Sequence, residues 1–164
     1  MIQAMRRKRQ ELSQEDTAAI LERGTSGVLA LAAEGSFPYA VPLSYVYTGK
    51  AIYFHCAKSG YKLELIAQNP KASFCVIDQD QIVPEEYTTY FRSVIVFGLL
   101  RVMEDGPAKR AAIEKLAAKY YPEGSAAGRQ AAIDKEWNIL CVLELSISHM
   151  TGKEAIELVK GRQG

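Results

Sequence analysis

Six short apolar runs, separated by turn or loop signals and helical patterns, constrain this chain more than any other feature of its sequence. The runs are rich in valine, isoleucine, leucine and aromatic residues, and tight polar turns such as residues 34–36 and 48–50 separate the first three. β-Branched and aromatic residues favour strands, and such tight turns join antiparallel neighbours. The pattern therefore predicts a mainly β fold with helices (α+β), in which six antiparallel strands close into a small barrel.

The second run, residues 37–47, contains Pro38 and Pro42. Proline cannot donate a hydrogen bond to a neighbouring strand, so we expect an edge, a bulge or an opening of the sheet here. The polar residues 79–89 are predicted as a loop between the fourth and fifth strands.

Helix start signals fall between the apolar runs. Ser13, Ser59 and Pro107 each precede or open an apolar stripe at helical spacing, which predicts three helices. A further, alanine-rich helix is predicted after the one that begins near Pro107. Thr151 with Glu154 has the spacing of a capping box, which predicts a last short helix.

Composition limits the class of protein. The 164 residues are 48% hydrophobic, which suits one domain spanning residues 1–164. The net charge of +1 argues against a general partner for nucleic acid or acidic membranes. No apolar run is long enough to span a bilayer, and the basic start lacks the apolar region of a secretory signal. Cys56, Cys75 and Cys141 stand far apart in apolar runs without C-x-x-C spacing, which predicts buried free thiols in the reducing cytoplasm.

The segment between the third run and the next helix concentrates groups that attract anions. Lys58 stands just before this helix, Lys62 falls in its first turn, and Ser59 adds a hydroxyl. A helix N-terminus presents unpaired N–H groups and a partial positive charge. The segment is either a phosphate site or an ordinary solvated helix start with surface lysines.

Other chemistries find little support in the sequence. The two histidines, His55 and His149, lack acidic or cysteine partners at ligand spacing, so no metal site is predicted. G-x-S-x-G, G-x-G-x-x-G and P-loop motifs are absent, so enzymatic activity would depend on an organic cofactor. The strand faces that carry Leu43 and Tyr45, or Ser93, could line a flat aromatic ligand or form barrel core.

Several stretches together resemble a known family. The stretches "MRRKRQELSQED", "GVLALAAEGSFPYAVPLSYVY", "IYFHCAKSGYKLELIAQNPKASFCVI", "VPEEYTTYFRSVIVFG" and the closing "TGK" resemble the pyridoxamine 5′-phosphate oxidase-like FMN-binding split-barrel superfamily. Within it, they are similar to the nitroimidazole-resistance-type flavoproteins. The resemblance implies a six-stranded split barrel, a homodimer with FMN at the subunit interface, and an FMN-dependent reductase of small electron-poor, nitroaromatic-like compounds.

The resemblance also assigns site residues. Lys62 matches the lysine that holds the FMN phosphate, and Tyr61 stands where the oxidases have arginine and the nitroimidazole-resistance branch usually has histidine. Ser93 matches a glutamine that approaches the flavin ring, and His55 is the candidate catalytic residue. The predicted cofactor-binding residues are Pro42, Leu43, Ser44, Tyr45, His55, Cys56, Ala57, Lys58, Tyr61, Lys62, Ser93 and Trp137.

The C-terminal residues 148–161 contain no clear match to the oxidases' substrate-binding arginine and histidine, so pyridoxamine phosphate oxidation is not predicted. Two alternatives to a reductase stay open. One is a non-catalytic flavin carrier or sensor. The other is a haem-binding relative on the same barrel, with His55 or His149 as axial ligand.

Overall fold

The computed structural model describes residues 4–163, which contain seven β-strands and five α-helices. Two single-turn 3-10 helices, Lys8–Gln10 and Pro84–Glu86, accompany them. None of these helices is long and apolar enough to cross a membrane. In chain order the main elements are α1 (Gln14–Arg23), β1 (Ser26–Leu31), β2 (Tyr39–Ser44), β3 (Val46–Tyr47), β4 (Ala51–Ala57), α2 (Tyr61–Gln68), β5 (Lys71–Val83), β6 (Thr88–Val102), α3 (Pro107–Tyr120), α4 (Ala126–Glu136), β7 (Leu140–Glu154) and α5 (Ile156–Gln163).

All strand pairs are antiparallel, and the sheet order is β2-β1-β5-β6-β7-β4-β3. The two ends of this order, β2 and β3, are separated in sequence by Tyr45 alone. The two edge strands of the sheet are therefore consecutive in the chain. The sheet curves into a barrel that is open between these strands, at Tyr45. This confirms the predicted split barrel and corrects its strand count, because the predicted second strand is two strands.

Tyr45 leaves the strand ladder because its polar groups are bonded elsewhere. Its backbone N–H donates to the Tyr120 hydroxyl at 2.9 Å, and its own hydroxyl donates to the Leu21 carbonyl oxygen at 2.9 Å. The fully buried ring packs edge-on against Phe74, with centroids 5.0 Å apart. A side chain from α3 thus satisfies a backbone donor that a neighbouring strand would otherwise bond.

Two apolar clusters hold the elements together. The first fills the barrel, where Ile20 and Leu21 of α1 pack among inward residues of the strands, including Phe54 and Phe74. The second lies outside the barrel, where α3 and α4 pack against β3 and β7. Every second residue of a strand faces the barrel interior, and residues of the opposite parity face outward.

Three expectations about element boundaries were wrong. α2 starts after Gly60 with no side-chain cap, so Ser59 does not cap it. The capping box does not form, because β7 continues through Thr151 to Glu154 and α5 begins at Ile156. Much of the predicted loop at 79–89 is strand, because β5 and β6 stay paired as far as Val83 and Thr88.

Tyr120→Phe should destabilise the fold. The variant removes the acceptor of the Tyr45 N–H and the hydroxyl that donates to the Thr25 carbonyl oxygen. An unpaired, partly buried amide costs about 1–3 kcal/mol, and the free energy of unfolding in urea should fall by that amount. Tyr121→Phe is the matched control, since the Tyr121 hydroxyl makes no hydrogen bond within residues 4–163. Equal stability of the two variants would refute the role assigned to Tyr120.

Candidate functional site

The predicted site residues of β2 and β4 meet on the outside of the barrel, next to its opening. In β2, Pro42 and Ser44 are exposed, while Leu43 packs against the barrel core. In β4, His55 and Ala57 are exposed in the same alternating way. Pro42 lies in a strand at the end of the sheet order, an edge position of the kind predicted, where proline is tolerated because one side of the strand has no ladder partner. These four exposed residues form the outer face of the site.

The start of α2 has the features of an anion site. Gly60 adopts a φ of +128°, a value that side-chain-bearing residues rarely take, and nothing lies within 4 Å of the position a Cβ would occupy. Open space therefore borders the first turn, where backbone N–H groups of Tyr61 and Lys62 precede the helix's own hydrogen bonds. This cradle and its charge suit a phosphate monoester.

The two lysines near this turn have different surroundings. Lys62 is half-buried, its ammonium lies beside the Cys56 thiol, and no carboxylate within residues 4–163 forms an ion pair with it. Lys58 faces Asp105 at 3.9 Å. Asp105 also accepts a hydrogen bond from Lys109 at 2.7 Å, and these lysines lower the pKa of its carboxyl group. Lys62 is thus the better placed of the two to hold an anion.

Tyr61 contributes no charge to this turn. Its ring packs edge-on against Tyr39, the first residue of β2, with centroids 5.3 Å apart. The contact links the start of α2 to the strand that carries Pro42 and Ser44. The side chain remains 46% exposed, so its hydroxyl is accessible to a ligand at the surface.

The cysteines are closer than their sequence separation suggested. Cys56 of β4 stands directly opposite Cys141 of β7 in the ladder, so both thiols point to one side of the sheet. Burial, and secondarily the Cys141 thiol, raises the pKa of Cys56 to about 11, and the Lys62 ammonium offsets part of this rise. All three cysteines are free thiols, as predicted, but only Cys141 is fully buried, and Cys56 and Cys75 are partly exposed.

A cleft of about 440 Å³ lies between the outer face of the site and the two helices that follow β6. Its lining residues are Ser44, His55, Ile113, Leu116, Ala117, Tyr120, Ala132, Ile133, Glu136 and Leu140. The sequence interpretation named two of these, Ser44 and His55, and missed the helical wall. The spacing of positions 113, 116, 117 and 120 does indicate one face of a helix, but the same spacing is typical of a helix buried against a core.

Three predicted site residues lie apart from this arrangement. Ser93 of β6 borders a second cleft of about 250 Å³ that also contains His149 and Lys153, and β7 separates β6 from β4 in the sheet. Trp137 follows α4 and packs against the outer apolar cluster. The Tyr45 side chain is fully buried, so only its backbone is available near the outer face.

Within residues 4–163, no group of three or more histidine, cysteine or acidic side chains is placed to hold a metal ion. The features that the site presents are a phosphate cradle, an exposed imidazole and an apolar cleft.

The sequence pattern of the pyridoxamine 5′-phosphate oxidase family matches residues 13–154. The chain belongs to this family. The match covers the barrel from the start of α1 to the end of β7, which confirms the family predicted from the sequence motifs. No curated protein matches the sequence at a significant level.

Solved structures share the family's fold with this chain. A candidate 5-nitroimidazole antibiotic resistance protein from Bacteroides thetaiotaomicron is 19% identical with a TM-score of 0.72, over 88% of this chain and 86% of that one. The FAD and haem binding protein from Mycobacterium smegmatis is 23% identical with a TM-score of 0.73, over 95% and 80%. The flavocytochrome Anf3 from Azotobacter vinelandii is 18% identical with a TM-score of 0.73, over 93% and 72%.

The Cys56 thiol should react slowly at neutral pH. Because its pKa is raised to about 11, its thiolate fraction and its alkylation rate should rise about tenfold for each pH unit between 7 and 9. Iodoacetamide labelling followed by mass spectrometry of the Cys56 peptide measures this rate, and Cys56→Ser identifies the peptide. A rate that levels off below pH 9 would contradict the burial of this thiol.

Proposed function

We propose that this member of the family is an FMN-binding flavoprotein that reduces small electron-poor, nitroaromatic-like compounds in the cytoplasm. The observation that carries the proposal is the anion cradle at the start of α2 beside the outer face of β2 and β4. Members of the same fold described above bind FAD and haem or are linked to nitroimidazole resistance, which supports a flavin as the ligand. FMN suits the cradle because its single phosphate is a monoester.

Lys62 and the first N–H groups of α2 would hold the FMN phosphate. A charge-assisted hydrogen bond from an ammonium that no carboxylate already pairs is a strong contact. Tyr61 can donate one hydrogen bond from its hydroxyl, but it adds no charge. The phosphate affinity of this chain would therefore depend mainly on Lys62.

The outer face would orient the flavin ring. Pro42 and Ser44 of β2 are exposed there, and His55 of β4 lines the same cleft as Ser44. The bound flavin supplies the electron-transfer chemistry, and the chain binds the flavin, orients it and limits water around it. The exposed His55 imidazole, the candidate catalytic group, can form a hydrogen bond with a ligand at this face.

A second copy of the chain would complete the site. The outward surface of β5 and β6 exposes large apolar side chains, with Ile77 66%, Ile95 40% and Leu99 49% exposed. Large apolar side chains exposed on one sheet surface favour a symmetric partner. Ser93 has the same outward parity as Ile95 on β6, so a dimer formed through this surface would include Ser93 in the subunit contact.

Lys62→Ala should weaken FMN binding about ten- to a hundredfold, since a hydrogen bond to a charged group is worth about 1.5–3 kcal/mol. Isothermal titration with FMN measures the loss. Riboflavin, which lacks the phosphate, should bind both proteins equally. Lys58→Ala is the matched control and should lose less affinity, because Lys58 faces Asp105. Unchanged FMN affinity in Lys62→Ala would exclude the phosphate site at α2.

Sedimentation velocity should show a dimer of the 18.1 kDa chain. Ile95→Lys places a charge in the apolar surface and should shift the protein towards monomer. Tyr121→Lys, at an exposed position just after α3, should leave the dimer intact. A wild-type protein that sediments as a monomer while it still binds FMN would refute the proposed assembly.

A further inference from the structure

We propose that the cleft between the outer face and the helices α3 and α4 is the substrate pocket, and that it accepts flat, uncharged aromatic molecules while it rejects phosphate esters and carboxylates. The inference rests on the proposed function for one point only, that a flavin lies against Ser44 and His55. The charge preference follows from the walls of the cleft alone.

The walls are almost entirely apolar. Ile113, Leu116 and Ala117 come from one face of α3, Ile133 comes from α4, and Leu140 begins β7. The volume of about 440 Å³ lies in the range of small-molecule pockets, which are roughly 300–1,000 Å³. A ligand with one aromatic ring system would bury most of its surface against these side chains.

The cleft contains no lysine or arginine among the described residues that line it, and Glu136 is the one carboxylate there. The nearby cations of α3 are committed to other partners. Lys109 donates to Asp105 at 2.7 Å and to the Leu140 carbonyl oxygen at 2.6 Å, and Arg110 donates to Gln130 at 2.6 Å.

The other two cations of α3, Lys115 and Lys119, also lie away from the cleft, because Lys115 lines a separate cleft between α3 and α4. Lys119 donates to the Gly24 carbonyl oxygen, outside the cleft lining. An anionic ligand would therefore lose hydration without gaining a cationic partner, and it would meet the negative charge of Glu136. An uncharged ligand of the same shape escapes both costs.

The side chains that can donate a hydrogen bond to a ligand in the cleft lie on its barrel side. Ser44 and His55 can each donate a hydrogen bond to a ligand oxygen, such as that of a nitro group. The Tyr120 hydroxyl is already bonded to Thr25 and to the Tyr45 N–H, so its ring serves as a wall. A ligand with a polar end and an apolar body would thus point its polar end towards the outer face, where the flavin ring is proposed to lie.

Trp137 provides a direct readout of ligand binding. It is the sole tryptophan in the sequence, and it packs against the outer cluster that contains Ile113, Leu116, Ile133 and Leu140. These four residues also line the cleft. A ligand in the cleft should change the tryptophan emission without any need for turnover.

The experiment compares two ligands of one shape on the FMN-loaded protein. 4-Nitrobenzyl alcohol is uncharged, and 4-nitrobenzoate carries a carboxylate at the same position. We expect saturable binding of the alcohol, by Trp137 fluorescence corrected for absorbance and by calorimetry, and at least about tenfold weaker binding of the benzoate. Equal affinity for the two ligands would overturn the inference.

A pair of neighbouring variants tests whether the cleft itself sets this preference. Ala132→Lys adds a cation to a lining position and should reverse or abolish the preference for the uncharged ligand. Ala131→Lys adds the same charge to the next position of α4, which does not line the cleft, and should keep the wild-type preference. Equal changes in both variants would show a general charge effect and refute the pocket.

Flavin absorbance separates failure of the inference from failure of the proposed function. If the nitro compounds release FMN as they bind, the cleft is the flavin-ring site, so the inference fails while flavin binding stands. If the protein binds no FMN at all, the proposed function fails. The same two-ligand titration on the flavin-free protein then still decides the charge preference of the cleft.

Discussion

The hydrogen bond between the Tyr45 N–H and the Tyr120 hydroxyl is the contact on which the site depends. It occurs where the barrel ladder stops, between β2 and β3, and it lets the chain leave the sheet without an unpaired buried donor. The buried Tyr45 ring packs against Phe74, and its hydroxyl donates to the Leu21 carbonyl oxygen. These two contacts fix the position of the break. Specific contacts of Tyr45 therefore determine where the barrel opens.

Helix α3 connects the barrel opening to the cleft, because its residue Tyr120 contacts Tyr45 at the opening and also lines the cleft. Its hydroxyl bonds to Tyr45 and Thr25, and its ring lines the cleft beside Ser44. A change that loosens Tyr120 would affect the barrel break and the cleft wall together. Stability and ligand recognition are thus coupled through one side chain rather than located in separate parts of the molecule.

Charge divides the site into two ends. The start of α2 has open backbone donors beside the Lys62 ammonium, with which no carboxylate of residues 4–163 forms an ion pair. The cleft instead has apolar walls and Glu136. Lys58, which sequence interpretation grouped with Lys62, instead faces Asp105 at the start of the α3 region. An anionic group is favoured at one end of the outer face and opposed at the other, which suits a phosphate-bearing cofactor and an uncharged substrate side by side.

The sequence by itself determined the strand-rich fold, α1 with its Ser13 cap, α3 with Pro107 at its start, the alanine-rich α4, and the family, since these follow from local spacing and from motifs. It also determined that Ser44 faces away from Leu43 and Tyr45, because period-two patterning is local. Only the tertiary structure decided that residues 37–47 form two strands, that Cys56 faces Cys141, and that α3 and α4 wall a cleft against His55. The physical reason is that these outcomes depend on contacts between residues distant in sequence, such as Tyr45 with Tyr120, and local pattern carries no information on which distant partner satisfies a given donor.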